Sequence, residues 1–150
     1  MDDLLNDFLA ETAEILAEAG GALVAWEADP ADRAQLDAIF RLVHTIKGSS
    51  GFLALPRVTA LAHAAEDALD QVRRGQRTAD AALVTGVLAI VDRLNLLCAA
   101  LGQDGTEPPG DDRAVIATLA EGPVARETEE PPEVAGFQLR REDDIQADLN

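Results

Sequence analysis

The sequence predicts an all-α protein, an up-and-down antiparallel four-helix bundle with a short fifth C-terminal helix. Four long stretches repeat apolar residues at three- and four-residue steps, the period of one helix face. Short turns rich in Pro, Gly and Asp separate them, and short connections make successive helices antiparallel neighbours. Composition agrees: hydrophobic residues make up 47% of the 150, largely Ala and Leu, while aromatics are 3% and Tyr is absent, a mix that favours helices. The length suffices for one domain with a real core.

In the first helix, Leu4, Leu5, Phe8, Leu9, Ala13, Ile15, Leu16, Ala19, Leu23 and Trp26 recur at helical spacing, interleaved with Asp7, Glu11, Glu14 and Glu18. Gly20-Gly21 is a weak point, but the apolar pattern resumes at Leu23, which favours continuation. Asp29-Pro30 ends the helix.

The second helix, from about Arg33 to Ala54 with Asp32 or a neighbour as cap, holds the most informative residues. Ile39, Val43, Ile46, Ser50 and Leu53 gather on its core side. Within about 60° of His44 lie Asp37, Phe40, Arg41, Lys47, Gly48 and Gly51, so the histidine faces outward. A residue four positions on leans back over the preceding turn, and Gly48 removes the cover it would give the imidazole. Each glycine costs about 1 kcal/mol against alanine in a helix, and Gly48 and Gly51 share the face of an exposed histidine. Close approach by a partner supplies the reason, with Arg41 and Phe40 bordering the approach. Lys47 is the only lysine in the chain. A compact ammonium on a flexible stem suits a phosphoryl group that arrives and leaves.

Pro56 opens the third helix, with Leu61, Ala65, Ala68, Leu69 and Val72 as its buried stripe and His63, Glu66, Asp70 and Arg73 on the other side. Antiparallel packing brings the polar margins of helices two and three together, with His63 and Glu66 near His44. Gly75 to Thr78 reads as a turn with Thr78 as N-cap of the fourth helix, whose stripe runs through Leu83, Val84, Val87, Leu88, Val91, Leu94, Leu97 and Leu101. Cys98 lies in this run as a small core residue. Residues 102–110 form a loop. Asp111 or Asp112 caps a short fifth helix carrying Val115, Ile116 and Leu119, expected to cross the open end of the bundle. The domain division is 1–121 for the bundle and 122–150 for an acidic, Pro-rich flexible linker.

His44-Thr45-Ile46-Lys47-Gly48-Ser49-Ser50-Gly51 resembles the H-[ST]-[IL]-K-G-x-x-G signature of histidine phosphotransfer domains. Leu61 to Leu69 resembles the following helix in the chemotaxis kinase CheA, and the likeness covers about residues 4 to 120. Ala54 departs from it, since many relatives carry glycine there. The resemblance implies that His44 is the phosphoacceptor and that His63 and Glu66 stand beside it. Glu66 would then accept from His44 Nδ1-H and leave Nε2 as nucleophile, while Lys47, and more weakly His63, offset phosphoryl charge.

The same resemblance implies two partners: a histidine-kinase ATP-binding domain and a response-regulator receiver of the CheY or CheB kind. No cofactor is expected in this chain, ATP and magnesium belonging to the partner domains. A free-standing relay between two receivers is the alternative within the class.

A formal charge of −16, from 28 acids against 12 bases, argues against nucleic acid. No stretch is expected to reach the length needed to span a bilayer, and the N-terminus lacks a basic leader, so a cytoplasmic location is expected. The isolated chain is expected to be a monomer. Hydrolase chemistry lacks a nucleophile elbow, and Gly48 to Gly51 lacks the form of a phosphate-binding loop. From other classes, a metal-binding bundle using His44, His63 and Glu66 lacks a fourth ligand, and a plain interaction bundle would need no chemistry.

Overall fold

The computed structural model describes residues 3–120. Five helices follow in chain order: α1 (Asp3–Ala28), α2 (Arg33–Phe52), α3 (Pro56–Arg73), α4 (Ala81–Asp104) and α5 (Arg113–Ala120). No strand occurs among the described residues. The predicted linker, 122–150, lies outside them.

Most of the predicted apolar faces are buried, but Leu4 and Ala13 of α1 and Leu88 of α4, counted in those stripes, are exposed. α1 runs unbroken through Gly20-Gly21 and buries Leu5, Phe8, Thr12, Leu16, Ala19, Leu23 and Trp26. Trp26 is fully buried, and its indole N–H donates to Pro30 O at 3.1 Å, which fastens the helix end to the following turn. In α2 the buried set is Leu36, Ile39, Val43, Ile46 and Ser50. The Ser50 hydroxyl, the one polar member, is satisfied by Lys47 O and Thr59 Oγ1. These meet Leu61, Ala65 and Leu69 of α3 and Leu83, Val87, Ile90, Leu94 and Leu101 of α4 in one core.

Asp32 caps α2, accepting from Ala34 N at 3.0 Å and Gln35 N at 3.4 Å. The helix stops at Phe52, two residues before the predicted Ala54. Ala54 N–H donates to Gly51 O and Leu55 N–H to Ser50 O, the paired exit bonds of a Schellman turn, with Ala54 at φ +58° where glycine is usual. Asp80, not Thr78, caps α4 by accepting from Leu83 N at 2.8 Å. Either side chain can cap; the one three residues before the first buried leucine takes the role.

Two further expectations are corrected. By length and composition α4 is long and apolar enough to cross a bilayer, with a mean hydropathy of 1.7 over its most apolar window. Here it is a core helix: its leucine and valine face fills the bundle, and Arg93 pairs with Asp112. The fifth helix does not cross the open end. Asp112 meets Arg93 and Leu119 lies against Gly86, so α5 runs back along α4 in the opposite chain direction.

Arg57 anchors the connection between α4 and α5. Its Nε and a terminal nitrogen donate to the two Asp112 oxygens at 2.8 and 2.6 Å, and its other terminal nitrogen donates to Pro108 O at 2.9 Å. Glu107 accepts from Arg57 N and Val58 N, so the α3 N-terminus is capped by a side chain some fifty residues away. Asp112 is nearly buried, and its two arginine partners hold its carboxyl below the usual value.

Candidate functional site

The α2/α3 packing brings three of the predicted residues together. His44 projects from the middle of α2 with its side chain 61% exposed. Its Nδ1 is in hydrogen-bond contact with Oε2 of Glu66, which reaches across from α3. The other Glu66 oxygen, Oε1, lies 2.5 Å from Lys47 Nζ, one turn after His44. Glu66 is buried, with 7% of the residue exposed, so its partners decide its charge. Burial pushes the carboxyl up, but the bonds from Lys47 and then His44 outweigh it and hold the group below its ordinary value.

An ionised Glu66 can only accept, so Nδ1 carries the ring proton in the neutral imidazole. The Nε2 lone pair is therefore left on the solvent side of an exposed ring. The glycines keep that side open. Gly48 and Gly51 are exposed, and a Cβ built on either would meet nothing within 4 Å. No packing inside the bundle requires them to be small.

Lys47 differs in detail from the sequence reading, since its charge is spent on Glu66. His63 is exposed, and its Nε2 lies 3.3 Å from Asp67 Oδ2; it makes no hydrogen bond or ion pair with His44. His63, Glu66 and Asp67 offer donor atoms within 4.8 Å of one another. Both Glu66 oxygens, however, are already engaged by His44 and Lys47. Arg41 is exposed on the turn before His44. Phe40 is half-buried, its ring near-parallel to that of His44 with centroids 6.2 Å apart.

α1 borders the site as well. An open groove of about 510 Å³ runs beside the histidine, between the first turns of α1 and the last of α2. Leu4, Phe8, Phe52 and Leu53 supply its apolar lining and Asp7 and Glu11 its acidic edge. Phe52 is 80% exposed there, which is unusual for so large an apolar side chain. The acidic spacing on α1 was visible in the sequence, but its placement beside α2 required the bundle's register.

Residues 3–104 match the family described as the Hpt domain. The chain belongs to the Hpt domain family. Among its relatives, the sensor histidine kinase CheAY of Helicobacter pylori is 37% identical over 110 residues, 71% of this chain and 14% of that protein. The chemotaxis protein CheA of Halobacterium salinarum is 41% identical over 75 residues, half of this chain and 11% of that one. The Hpt chain thus spans a small fraction of these curated relatives. In structure it is similar to the phosphorylated P1 domain of CheA3, solved in complex with CheY6 from R. sphaeroides. The TM-score is 0.74 at 27% identity, covering 80% of this chain and 94% of that one. The solution structure of the histidine phosphotransfer domain of CheA gives a TM-score of 0.73 at 25% identity, with 80% and 91% covered.

Proposed function

We propose that His44 is the phosphoacceptor of this Hpt domain, taking a phosphoryl group from the ATP-binding domain of a CheA-like kinase and passing it to a receiver. The observation that carries this reading is the His44–Glu66 contact, which leaves Nε2 unprotonated and exposed. The Nε2 lone pair attacks the γ-phosphorus of ATP, a P–N bond forms, and the bond to the departing ADP oxygen breaks. The ring keeps its Nδ1 proton and gains positive charge, which the Glu66 carboxylate offsets. In the second transfer a receiver carboxylate oxygen attacks phosphorus, and the P–N electron pair returns to Nε2. ATP and magnesium act from the partner domains.

Lys47 keeps Glu66 ionised in the resting state, and its flexible stem lets it turn toward phosphoryl oxygens on His44. The receiver is proposed to cover His44, Gly48 and Gly51 and to reach the groove beside α1. The complexed relative from R. sphaeroides supports a receiver partner. A cytoplasmic setting is part of the same proposal.

The test offers the native chain, His44→Gln and Glu66→Gln to a CheA kinase core with labelled ATP, then adds receivers. Acid-labile label on the native chain, none on His44→Gln, slower labelling of Glu66→Gln and loss of label to a receiver are the expected results. Equal labelling of native and His44→Gln chains would overturn the assignment.

A further inference from the structure

One hydrogen bond fixes one atom of a ring and leaves its plane free to rock about that contact. The bond to Glu66 therefore does not by itself aim Nε2, and a second contact must set the plane. Phe40 supplies it from one turn earlier on α2, its ring 11° from parallel with the imidazole and 6.2 Å away between centroids, within the range of offset stacking. Phe40 is itself held. The Arg73 guanidinium of α3 stands 4.1 Å from the centre of its ring. Arg73 Nε lies 3.1 Å from Asp37 Oδ1 on α2, and a terminal nitrogen lies 3.3 Å from Asp70 Oδ1 on α3. Carboxylates from both helices thus fix the arginine, the arginine fixes the phenyl ring, and the phenyl ring lies along the imidazole.

We infer that Phe40, clamped by Arg73, is a positioning residue for His44: it holds the imidazole plane so that Nδ1–H stays on Glu66 while Nε2 faces outward. The consequence for transfer rests on the phosphoacceptor reading of His44. The orientation itself does not. Phe40 is therefore part of the internal support of the histidine more than a free apolar contact for a partner.

The experiment compares native chain, Phe40→Leu, Phe40→Trp, Arg73→Met and the Phe40→Leu/Arg73→Met pair. Ring ¹⁵N spectra of His44 report which nitrogen carries the proton, and labelling by a kinase core reports rate. Phe40→Leu keeps an apolar side chain but no stack. It should populate the second tautomer and slow labelling about threefold to tenfold, the range set by the worth of one aromatic pair. Phe40→Trp should restore both readouts. Arg73→Met should shift them in the same direction by less, which also covers a Phe40→Leu chain that fails to fold, and the pair should be no worse than Phe40→Leu alone. A native ring spectrum and native rate in folded Phe40→Leu would overturn the inference, as would a native ring spectrum in Arg73→Met where Phe40→Leu does not fold. Because the ring spectrum needs no kinase, it decides the positioning even if the native chain takes no label, a result that would count against the phosphoacceptor reading alone.

Discussion

Replacing Gly48 by alanine should stabilise the bundle and impair its transfer activity at once. Glycine inside a helix is less favourable than alanine by about 0.5–1 kcal/mol. The added Cβ meets nothing within 4 Å, so no repacking offsets that gain. For a fold of this size, 1 kcal/mol raises Tm by roughly 4 °C. The methyl group would lean back over the turn that carries the imidazole. Reacting atoms must come within about 3–3.5 Å, and a displacement of about 1 Å can slow a reaction by about 100-fold, so a loss of about tenfold or more is expected. Gly20 in α1 is the control, because its Cβ position is equally empty and it lies outside the histidine groove. Gly20→Ala should give the same gain in stability and native transfer. Thermal melts and receiver-coupled dephosphorylation rates read both quantities. A Gly48→Ala chain that is more stable and fully active would refute the claim that the glycine is kept for a partner's approach.

Asp112→Asn should destabilise the bundle by about 2–4 kcal/mol, since it leaves Arg57 and Arg93 without their nearly buried carboxylate. The folded-state pKa of Asp112 is lowered, so its contribution is fully present above the ordinary carboxylate value of about 4 and is lost as pH falls through the lowered value. Denaturant titrations of the native and Asp112→Asn chains should therefore differ at pH 7 and converge in strong acid. Ala54→Gly should raise stability by about 0.5–1 kcal/mol in the same titration, because the left-handed φ of +58° strains an L-residue by about 1–2 kcal/mol and glycine returns part of that as chain entropy. Burial pushes the Cys98 thiol up to about 11, so iodoacetamide at pH 8 should modify it far more slowly in the folded chain than in urea.

What could be read from the sequence was local. The α2 face of Ile39, Val43, Ile46 and Ser50 follows from a 100° step per residue, and it alone sets His44 outward. The Glu66 contact needed only the further premise that a short connection makes α2 and α3 antiparallel. Features that depend on the offset between distant helices were not legible. Glu107 caps α3 from the loop that follows α4, and Asp112 draws Arg57 and Arg93 together. In sequence Glu107 reads as an ordinary loop residue and Asp112 as no more than a candidate cap of the fifth helix. Arg73 showed its i,i+3 relation to Asp70, but its place over Phe40 depends on how α3 slides along α2. The α5 placement failed for the same reason: a short apolar helix has several exposed stripes it could cover, and the arginine pair on Asp112 selects the one along α4.

The most direct test of the account uses a small phosphoryl donor, phosphoramidate, in place of a kinase, followed by ³¹P and ¹⁵N spectroscopy of the labelled histidine. One phosphohistidine is expected, at His44, with phosphorus on Nε2 and the proton still on Nδ1 facing Glu66. Phosphorus on Nδ1 of His44, or on His63 in its place, would contradict it.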